Sequence, residues 1–214
     1  MSWDDSTEHE GKVLNIEADQ PTEQQQTLML QLARQAITVF LEEGQVPHSE
    51  PDEPFLALRA GVFVTLREQQ HQRQSGTGIG GPGLLRGCIG HMQPDRPLYQ
   101  VVPDMAIQAA TADPRFPPMN SAEVVGVTIE IAILSPIRPV ESRDEIQIGE
   151  HGLVLAGEWQ RALLLPKSPV IYGWDLDQYL ANLHKKAGLP IGYWPGKGKL
   201  YAFTSFDFGE QGQR

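Results

Sequence analysis

The chain has 214 residues and a formal net charge of −10, and these values exclude several classes of protein. A chain this acidic lacks the basic surface that neutralises phosphates, so we exclude nonspecific nucleic-acid binding. No apolar run approaches the roughly 18 residues of a membrane helix, and the N-terminus has neither the basic flank nor the apolar centre of a secretion signal. We therefore expect a cytoplasmic protein without membrane attachment.

The first 20 residues form a polar, acidic stretch without an apolar period. Such a segment buries too little apolar surface to offset the entropy that is lost on ordering. We therefore predict a disordered tail at 1–20 and one folded domain at 21–214. Helical spacing of the apolar residues after Pro21 predicts an amphipathic helix that ends at Gly44.

Two strands and a second helix are predicted in the middle of the chain. Residues 62–66 are a short apolar run of the kind found in buried strands. A glycine-rich run at 75–83 leads into a further strand at 84–89; because the run lacks the lysine and the serine or threonine of a P-loop, we assign it no phosphate-binding role. Helical spacing continues over 98–110, where Pro103 predicts a kink or a break.

The C-terminal half alternates strands with one well-marked helix. Apolar and polar residues alternate over 127–133, which predicts a strand with its isoleucine face in the core and Glu130 on the opposite face. A hairpin is predicted at 153–165, a helix that starts at the capping-box residue Asp175, and a strand at 201–206. Because strands and helices interleave irregularly, the pattern predicts an α+β fold.

The single cysteine, Cys88, lies between two glycines on the predicted strand at 84–89. If that strand is regular, Arg86 and Cys88 share one face, and a guanidinium so close favours the thiolate, which is the nucleophilic form. Gly87 and Gly90 then allow a ligand to approach the backbone closely, or a bulge that re-aims the cysteine. The alternative is that Cys88 fills space in the core, as free cysteines commonly do.

Metal, cofactor and serine-hydrolase chemistry find little support in the sequence. Cys88 and His91 have the C-x-x-H spacing of half a zinc site, but zinc generally needs four ligands and the chain has one cysteine. No Gly-x-Ser-x-Gly motif marks a hydrolase nucleophile. We therefore predict neither a metal nor a cofactor.

A series of short motifs resembles those of the AMMECR domain family and follows that family's order. The motifs are Phe63-Val-Thr-Leu66, Leu85-Arg-Gly-Cys-Ile-Gly90, Asp113-Pro-Arg-Phe116, Leu134-Ser-Pro136, His151-Gly-Leu153, Leu163-Leu-Leu-Pro166, Gly173-Trp-Asp175 and Lys186-Ala-Gly-Leu-Pro190. The resemblance covers the chain from roughly Pro21 to the C-terminus. It implies a single α+β domain of two packed lobes, with a mixed or antiparallel sheet and flanking helices, grouped by fold with nucleotide-, nucleic-acid- and peptide-binding modules.

The resemblance also implies partners. Prokaryotic members of the family look like one component of a three-part system, whose other components are a Memo-like protein and a radical S-adenosylmethionine protein. This association has suggested a modification enzyme. The chain departs from the family pattern at 167–171, directly after the Leu-Leu-Leu-Pro motif, and in the insertion at 69–83 that precedes the cysteine strand.

The residues support two functions of different class, and the sequence leaves open whether the protein is an enzyme. In the enzyme hypothesis, Cys88 attacks an electrophilic substrate while Arg86 or Arg115 binds its anionic group. His151 or Glu130 then moves protons. This hypothesis requires side chains from distant parts of the sequence to meet in the folded protein.

The second hypothesis is a binding or adaptor module for a small anionic ligand, a nucleotide, a nucleic acid or a peptide. Cys88 then packs beneath a recognition pocket formed by Arg86, Asp113, Arg115 and Lys186. A purely structural interpretation makes Asp113 and Arg115 an ion pair that stabilises the proline-rich turn at 113–118. Analogy of fold does not choose among these hypotheses.

Overall fold

The protein is described from a computed structural model, which covers residues 12–47, 50, 52–69 and 84–210. The glycine-rich run at 75–83 and residues 1–11 of the predicted tail lie outside these ranges. The chain divides into two compact units. The first unit comprises Met1–Asn15, Asp19–Ile133 and Asp207–Arg214, and the second comprises Ile16–Ala18 and Leu134–Phe206.

Helices and antiparallel strands alternate along the chain and confirm the predicted α+β class. In chain order the elements are α1 (Glu23–Glu43), β1 (Gly61–Glu68), β2 (Leu85–His91), α2 (Leu98–Thr111), β3 (Val127–Leu134), β4 (Arg138–Pro139), β5 (Gly152–Ala156), β6 (Arg161–Leu164), α3 (Lys167–Tyr172), α4 (Leu176–Ala187), α5 (Tyr193–Gly196), β7 (Lys199–Phe203) and β8 (Ser205–Gly209). One sheet has the order β2-β1-β3-β8 and the other has the order β4-β7-β5-β6.

Local interactions cap both ends of α1. Thr22 caps the N-terminus, since its side chain accepts the N–H of Gln25 and the Gln25 side chain accepts the N–H of Thr22. Gly44 ends the helix in the left-handed conformation, with φ of 70°, which an alanine would adopt only with strain. The helix predicted between Pro21 and Gly44 is therefore present.

The core of the first unit lies between its sheet and its two long helices. α1 packs against α2, and α2 packs against β1 and β2. The predicted core face of β3 is confirmed, because Val127, Ile129, Ile131 and Ile133 are all buried. The sequence predicted a kink or a break at Pro103, and α2 continues through this residue without a break. Burial of most of the helix against its neighbours compensates for the one backbone hydrogen bond that a proline removes.

The second unit packs α4 against a sheet. Its core includes Leu153 and Leu155 of β5, Tyr179 and Leu183 of α4, and Leu200 of β7. The predicted hairpin is present as β5 and β6, which pair antiparallel. The capping box that Asp175 forms with its third neighbour is also confirmed.

The predicted strand at 201–206 is in fact two strands that belong to different sheets. β7 ends at Phe203 and β8 begins at Ser205. Between them, the N–H of Thr204 donates to Ser135 Oγ at 2.9 Å and the N–H of Ser135 donates to the Thr204 carbonyl at 3.0 Å. The aromatic alternation changes phase at this crossing, from Tyr201 and Phe203 to Phe206 and Phe208, and the prediction of one strand at 201–206 overlooked that shift.

Residues 12–20 were predicted to be disordered, but in the structure this segment has buried side chains and main-chain hydrogen bonds. Leu14 is fully buried and Ile16 is 3% exposed. The N–H of Leu14 donates to the Arg59 carbonyl at 2.8 Å, and the N–H of Arg59 donates to the Lys12 carbonyl at 3.0 Å. The segment is anchored by a main-chain bridge to a distant residue, and such long-range pairing leaves no pattern in the local sequence.

We expect the Leu14→Ala substitution to lower the free energy of unfolding by about 2 kcal/mol, because it leaves a cavity in a closed site. The neighbouring Val13 is 41% exposed, so Val13→Ala should change stability by less than about 0.5 kcal/mol. Urea denaturation of both variants and of wild type measures these changes in the free energy of unfolding. Equal stability of the two variants would show that the segment adds nothing to the core.

Candidate functional site

Cys88 lies on β2, the terminal strand of the first sheet. In the antiparallel register of β1 and β2 it stands opposite Thr65. The Thr65 hydroxyl donates a hydrogen bond to Cys88 Sγ at 3.2 Å. Thr65 is 4% exposed, whereas Cys88 is half-buried. The neighbouring strand therefore fixes the sulfur, and the cysteine remains partly open to solvent.

The carboxylate of Asp113 is the centre of the hydrogen-bond network at Cys88. Its side chain is 2% exposed and accepts the backbone N–H of Cys88 at 2.8 Å. It also accepts three donors of Arg115, the backbone N–H at 3.1 Å, Nε at 2.9 Å and Nη2 at 2.6 Å. The pKa of Asp113 is lowered to about 2, mainly because the Arg115 side chain donates hydrogen bonds to the carboxylate. Burial acts in the opposite direction, and the hydrogen bond from the Cys88 amide lowers the pKa further.

Arg115 is held on one side and open on the other. Its side chain is 54% exposed, lies 5.5 Å from the centre of the Phe116 ring, and donates from Nη2 to the Cys88 carbonyl at 3.3 Å. Its hydrogen bonds to Asp113 raise the pKa of Arg115, and Cys88 makes a smaller contribution in the same direction. The ion pair predicted for the turn is therefore present, and its guanidinium also contacts the cysteine strand.

Asp113 and Arg115 take the place of a neighbouring strand at Cys88. The carboxylate accepts the Cys88 N–H and the guanidinium donates to the Cys88 carbonyl, so both main-chain groups point away from β1. Thr65 and Cys88 then form a pair without mutual backbone bonds, the type in which opposing side chains come closest. An open edge strand is a template for another chain, and here side chains close that edge at the cysteine.

Arg86, which the sequence placed beside the thiol, is bound to Glu123. Its Nε and Nη2 donate to Glu123 Oε1 at 3.1 Å and 2.9 Å, and its side chain is 8% exposed. The register of the two strands shifts between Leu66 and Arg67, opposite Arg86, which breaks the regular alternation on which the prediction relied. The guanidinium that contacts the cysteine belongs to Arg115 instead.

Gly87 and Gly90 permit close approach of other parts of the protein. A Cβ built at Gly87 would lie 2.0 Å from the carbonyl oxygen of Ala109 in α2. A Cβ built at Gly90 would lie 2.3 Å from the ring of Phe63, its partner on β1. The sequence predicted that a ligand approaches the backbone at these glycines, whereas the groups that lie close to them in the structure are α2 and Phe63.

Glu130 and His91 of the first unit each have an acidic or basic partner. Glu130 Oε1 accepts Arg67 Nε at 2.7 Å. His91 Nε2 lies 2.6 Å from Asp95 Oδ1. Glu130 is therefore engaged in an ion pair with Arg67 of β1.

His151 and Lys186 belong to the second unit, and each is bound within it. His151 is 8% exposed; its Nδ1 accepts the Gln147 N–H at 3.0 Å, and its Nε2 lies 3.2 Å from Arg138 Nη2. Lys186 Nζ donates to the Leu163 carbonyl at 2.9 Å. These contacts stabilise loops and strands of the second unit.

The structure thus brings together Cys88, Asp113 and Arg115, which sequence reasoning named, and Thr65, which it missed. The role of Thr65 depends on the register of β1 against β2, and no motif gives that register. The sequence does give a partial signal for the side of the strand on which Thr65 lies. Val64 and Leu66 flank Thr65, and if they face the core, then Thr65 lies on the opposite face of the strand.

Two further properties concern only the ranges that the structure describes. No group of three or more His, Cys, Asp or Glu side chains there is arranged to hold a metal ion. In the same ranges, no helix combines the length and apolar character needed to cross a bilayer.

The fold and the site define an α+β protein of two sheet-containing units, with a cysteine on an edge strand held by an aspartate–arginine pair. The model of the AMMECR1 family matches residues 30–208. The chain therefore belongs to the AMMECR1 family, which confirms the resemblance inferred from its motifs.

Relatives in archaea cover most of the chain. A protein of Methanopyrus kandleri is 37% identical over 86% of this chain and 87% of its own length. A protein of Methanocaldococcus jannaschii is 37% identical over 86% of this chain and 89% of its own length. The crystal structure of an uncharacterized protein from Pyrococcus horikoshii is similar, with a TM-score of 0.77 and 35% identity over 86% of this chain and 90% of that chain. None of these names states an activity.

Proposed function

We propose that the protein is a binding module that recognises a compact anionic ligand at Arg115, beside Cys88. The observation that supports this most directly is the contrast within one ion pair, where Asp113 is 2% exposed and Arg115 is 54% exposed. The buried carboxylate orients the guanidinium through Nε and Nη2. The exposed part of the planar fork is left to bind a carboxylate or a phosphate oxygen.

The surroundings favour a small ligand over a polymer. The network of Thr65, Cys88, Asp113 and Arg115 is fixed before any ligand arrives, which lowers the entropy lost on binding. The chain as a whole carries −10, so a long polyanion would be repelled beyond the immediate contact with Arg115. A compact molecule with a single carboxylate or phosphate group fits this preformed site and avoids the repulsion that a long polyanion would meet.

A second candidate function is thiol chemistry on that same ligand. It is supported by the position of Cys88 Sγ, which is half-buried, accepts the Thr65 hydroxyl and lies on the strand that Arg115 contacts. In this case Arg115 binds the anionic group, the thiol loses its proton to water, and the sulfur forms a bond to an electrophilic carbon of the ligand while the bond from that carbon to its leaving group breaks. The binding hypothesis takes precedence because Glu130 is paired and His151 is bound within the second unit.

Alkylation of the single cysteine tests the anion-binding role without knowledge of the natural ligand. We expect native protein to react near neutral pH with both iodoacetate, an anion, and iodoacetamide, its neutral analogue. The ratio of the iodoacetate rate to the iodoacetamide rate should fall about threefold to tenfold in the Arg115→Gln variant, because a charge roughly 4 Å away in bulk water contributes about 1 kcal/mol and the reagent reaches the solvent-exposed side of Arg115. Mass spectrometry of intact protein follows both reactions.

The ratio cancels any change in the intrinsic reactivity of the sulfur. Arg96→Gln is the matched control, because Arg96 is also a half-exposed arginine paired with an aspartate in the first unit, and its ratio should equal that of wild type. Melting curves establish that each variant is folded during labelling. Labelling that occurs only in denaturant, or a ratio unchanged by Arg115→Gln, would contradict an anion site at this position.

A further inference from the structure

The second unit carries exposed apolar side chains on α3 and on the turn at Ile148, and none of them belongs to the site described above. Within α3, Val170, Ile171 and Tyr172 are 62%, 54% and 67% exposed. Ile148 is 42% exposed and precedes Gly149, at which a built Cβ would lie 3.3 Å from Val170 Cγ2. The turn therefore lies next to the helix. We call Ile148, Val170, Ile171 and Tyr172 the α3 patch.

The α3 patch is presented by a well-anchored support. The N–H of Trp174 donates to the Pro169 carbonyl at 2.8 Å, and Gly173 ends the helix in the left-handed conformation with φ of 64°. The ring of Tyr172 stacks on that of Trp174 with centroids 4.8 Å apart, and Trp174 packs against the core of the second unit. The patch is therefore held in place outside that core.

The size of the α3 patch is suitable for a protein interface. Each of its four side chains exposes on the order of 100 Å², so the patch offers roughly 400 Å² of apolar surface, a size that marks interaction sites on soluble proteins. Apolar atoms make up about 60% of an interface, so this patch corresponds to roughly 700 Å² per partner. A stable complex buries about 800 Å² per partner.

The distribution of charge favours a second copy of the chain as the occupant. The second unit has eight Lys and Arg against eight Asp and Glu, so the whole net charge of −10 lies in the first unit. A contact between the second units of two copies therefore joins units without net charge, so no net repulsion between those two units opposes it. Surfaces near zero net charge associate most readily, whereas a highly charged partner would gain no attraction here.

We propose that the α3 patch is the contact surface of a symmetric dimer, in which α3 packs against α3 of a second copy of the chain. A two-fold interface uses one patch on both partners, so each residue near the axis meets its own counterpart. Ile171, at the middle of the three exposed residues, lies near that axis. The dimer is independent of the ligand proposed at Arg115.

Sedimentation velocity of the full-length protein from about 1 to about 200 µM tests the proposal. Wild type should shift from monomer to dimer over this range. The Ile171→Asp variant should remain monomeric, with a dissociation constant raised at least about 100-fold. Its melting temperature, measured at a dilution where both proteins are monomers, should match that of wild type, because the side chain is exposed. Tyr172→Ser provides a second variant with the same expected result.

The matched control is Val125→Asp, which places the same charge at an 82% exposed valine of the first unit and should dimerise like wild type. Oxidation tests the symmetry: in a Cys88→Ser background, Ile171→Cys should form a disulfide-linked dimer and Val125→Cys should not. A wild type that is monomeric at every concentration overturns the proposal, whatever else covers the patch. A dimer that survives Ile171→Asp overturns it as well.

Discussion

Replacing Gly87 by alanine should lower the free energy of unfolding by at least about 3 kcal/mol, the largest effect we expect from one added methyl group. The new Cβ would lie 2.0 Å from the Ala109 carbonyl oxygen and 3.0 Å from its carbonyl carbon. Both are backbone atoms, so no side-chain rotation relieves the overlap. β2 and α2 would have to move apart, and the core between them would lose its close packing.

Gly126→Ala is the control, because a Cβ at Gly126 would meet no atom within 4 Å and that residue also lies in the first unit. Its stability should stay within about 0.5 kcal/mol of wild type. Guanidinium denaturation of the two variants gives the comparison. If Gly87→Ala unfolds at the same denaturant concentration as Gly126→Ala, then α2 does not fix the position of the cysteine strand.

Features encoded within a few neighbouring residues could be predicted from the sequence. The capping box at Asp175, the end of α1 at Gly44 and the alternation in β3 each depend on residues at most a few positions apart, and all three are confirmed. The turn that contains Asp113 and Arg115 was likewise recognisable, because prolines and charges within six residues leave the chain little freedom. Local chemistry was sufficient in these places.

Features that depend on register or on distant residues could not be predicted. The guanidinium that contacts Cys88 belongs to Arg115 and not to Arg86. The register shift opposite Arg86 interrupts the regular alternation of side chains along β2, and Glu123 binds the Arg86 guanidinium. The contribution of Thr65 requires the pairing of two strands separated by a long insertion. α3 was missed because it is six residues long and contains a proline. Tertiary pairing decides each of these cases.

Asp113 connects the parts of the site that sequence reasoning treated separately. It follows α2, begins the proline-rich turn, and accepts hydrogen bonds from both the cysteine strand and Arg115. One carboxylate thus sets the positions of the strand edge and of the guanidinium that it exposes. Any ligand recognised by Arg115 therefore depends on a residue that it does not itself contact.

Replacing Asp113 by alanine should lower the free energy of unfolding by about 3 kcal/mol. The change leaves the half-buried Cys88 without an acceptor for its N–H and removes the charged partner of Arg115, together with the four hydrogen bonds that the Asp113 carboxylate accepts. Asp104→Ala is the control, since Asp104 is 29% exposed in an ion pair with Arg96 and should contribute less than about 1 kcal/mol. Urea denaturation near neutral pH measures both variants.

The contribution of Asp113 should also depend on pH in a defined direction. Its pKa falls from an ordinary value of 3.8 to about 2 in the folded protein, so the ionised carboxylate favours folding. A group with a depressed pKa contributes its full stability above the unfolded pKa and loses it as the pH falls through the folded pKa. The stability difference between wild type and Asp113→Asn should therefore be constant above about pH 5 and shrink between about pH 4 and about pH 2. A difference that stays constant down to about pH 2 would mean that the charge of Asp113 does not stabilise the fold, and that its shape alone holds the strand and Arg115 in place.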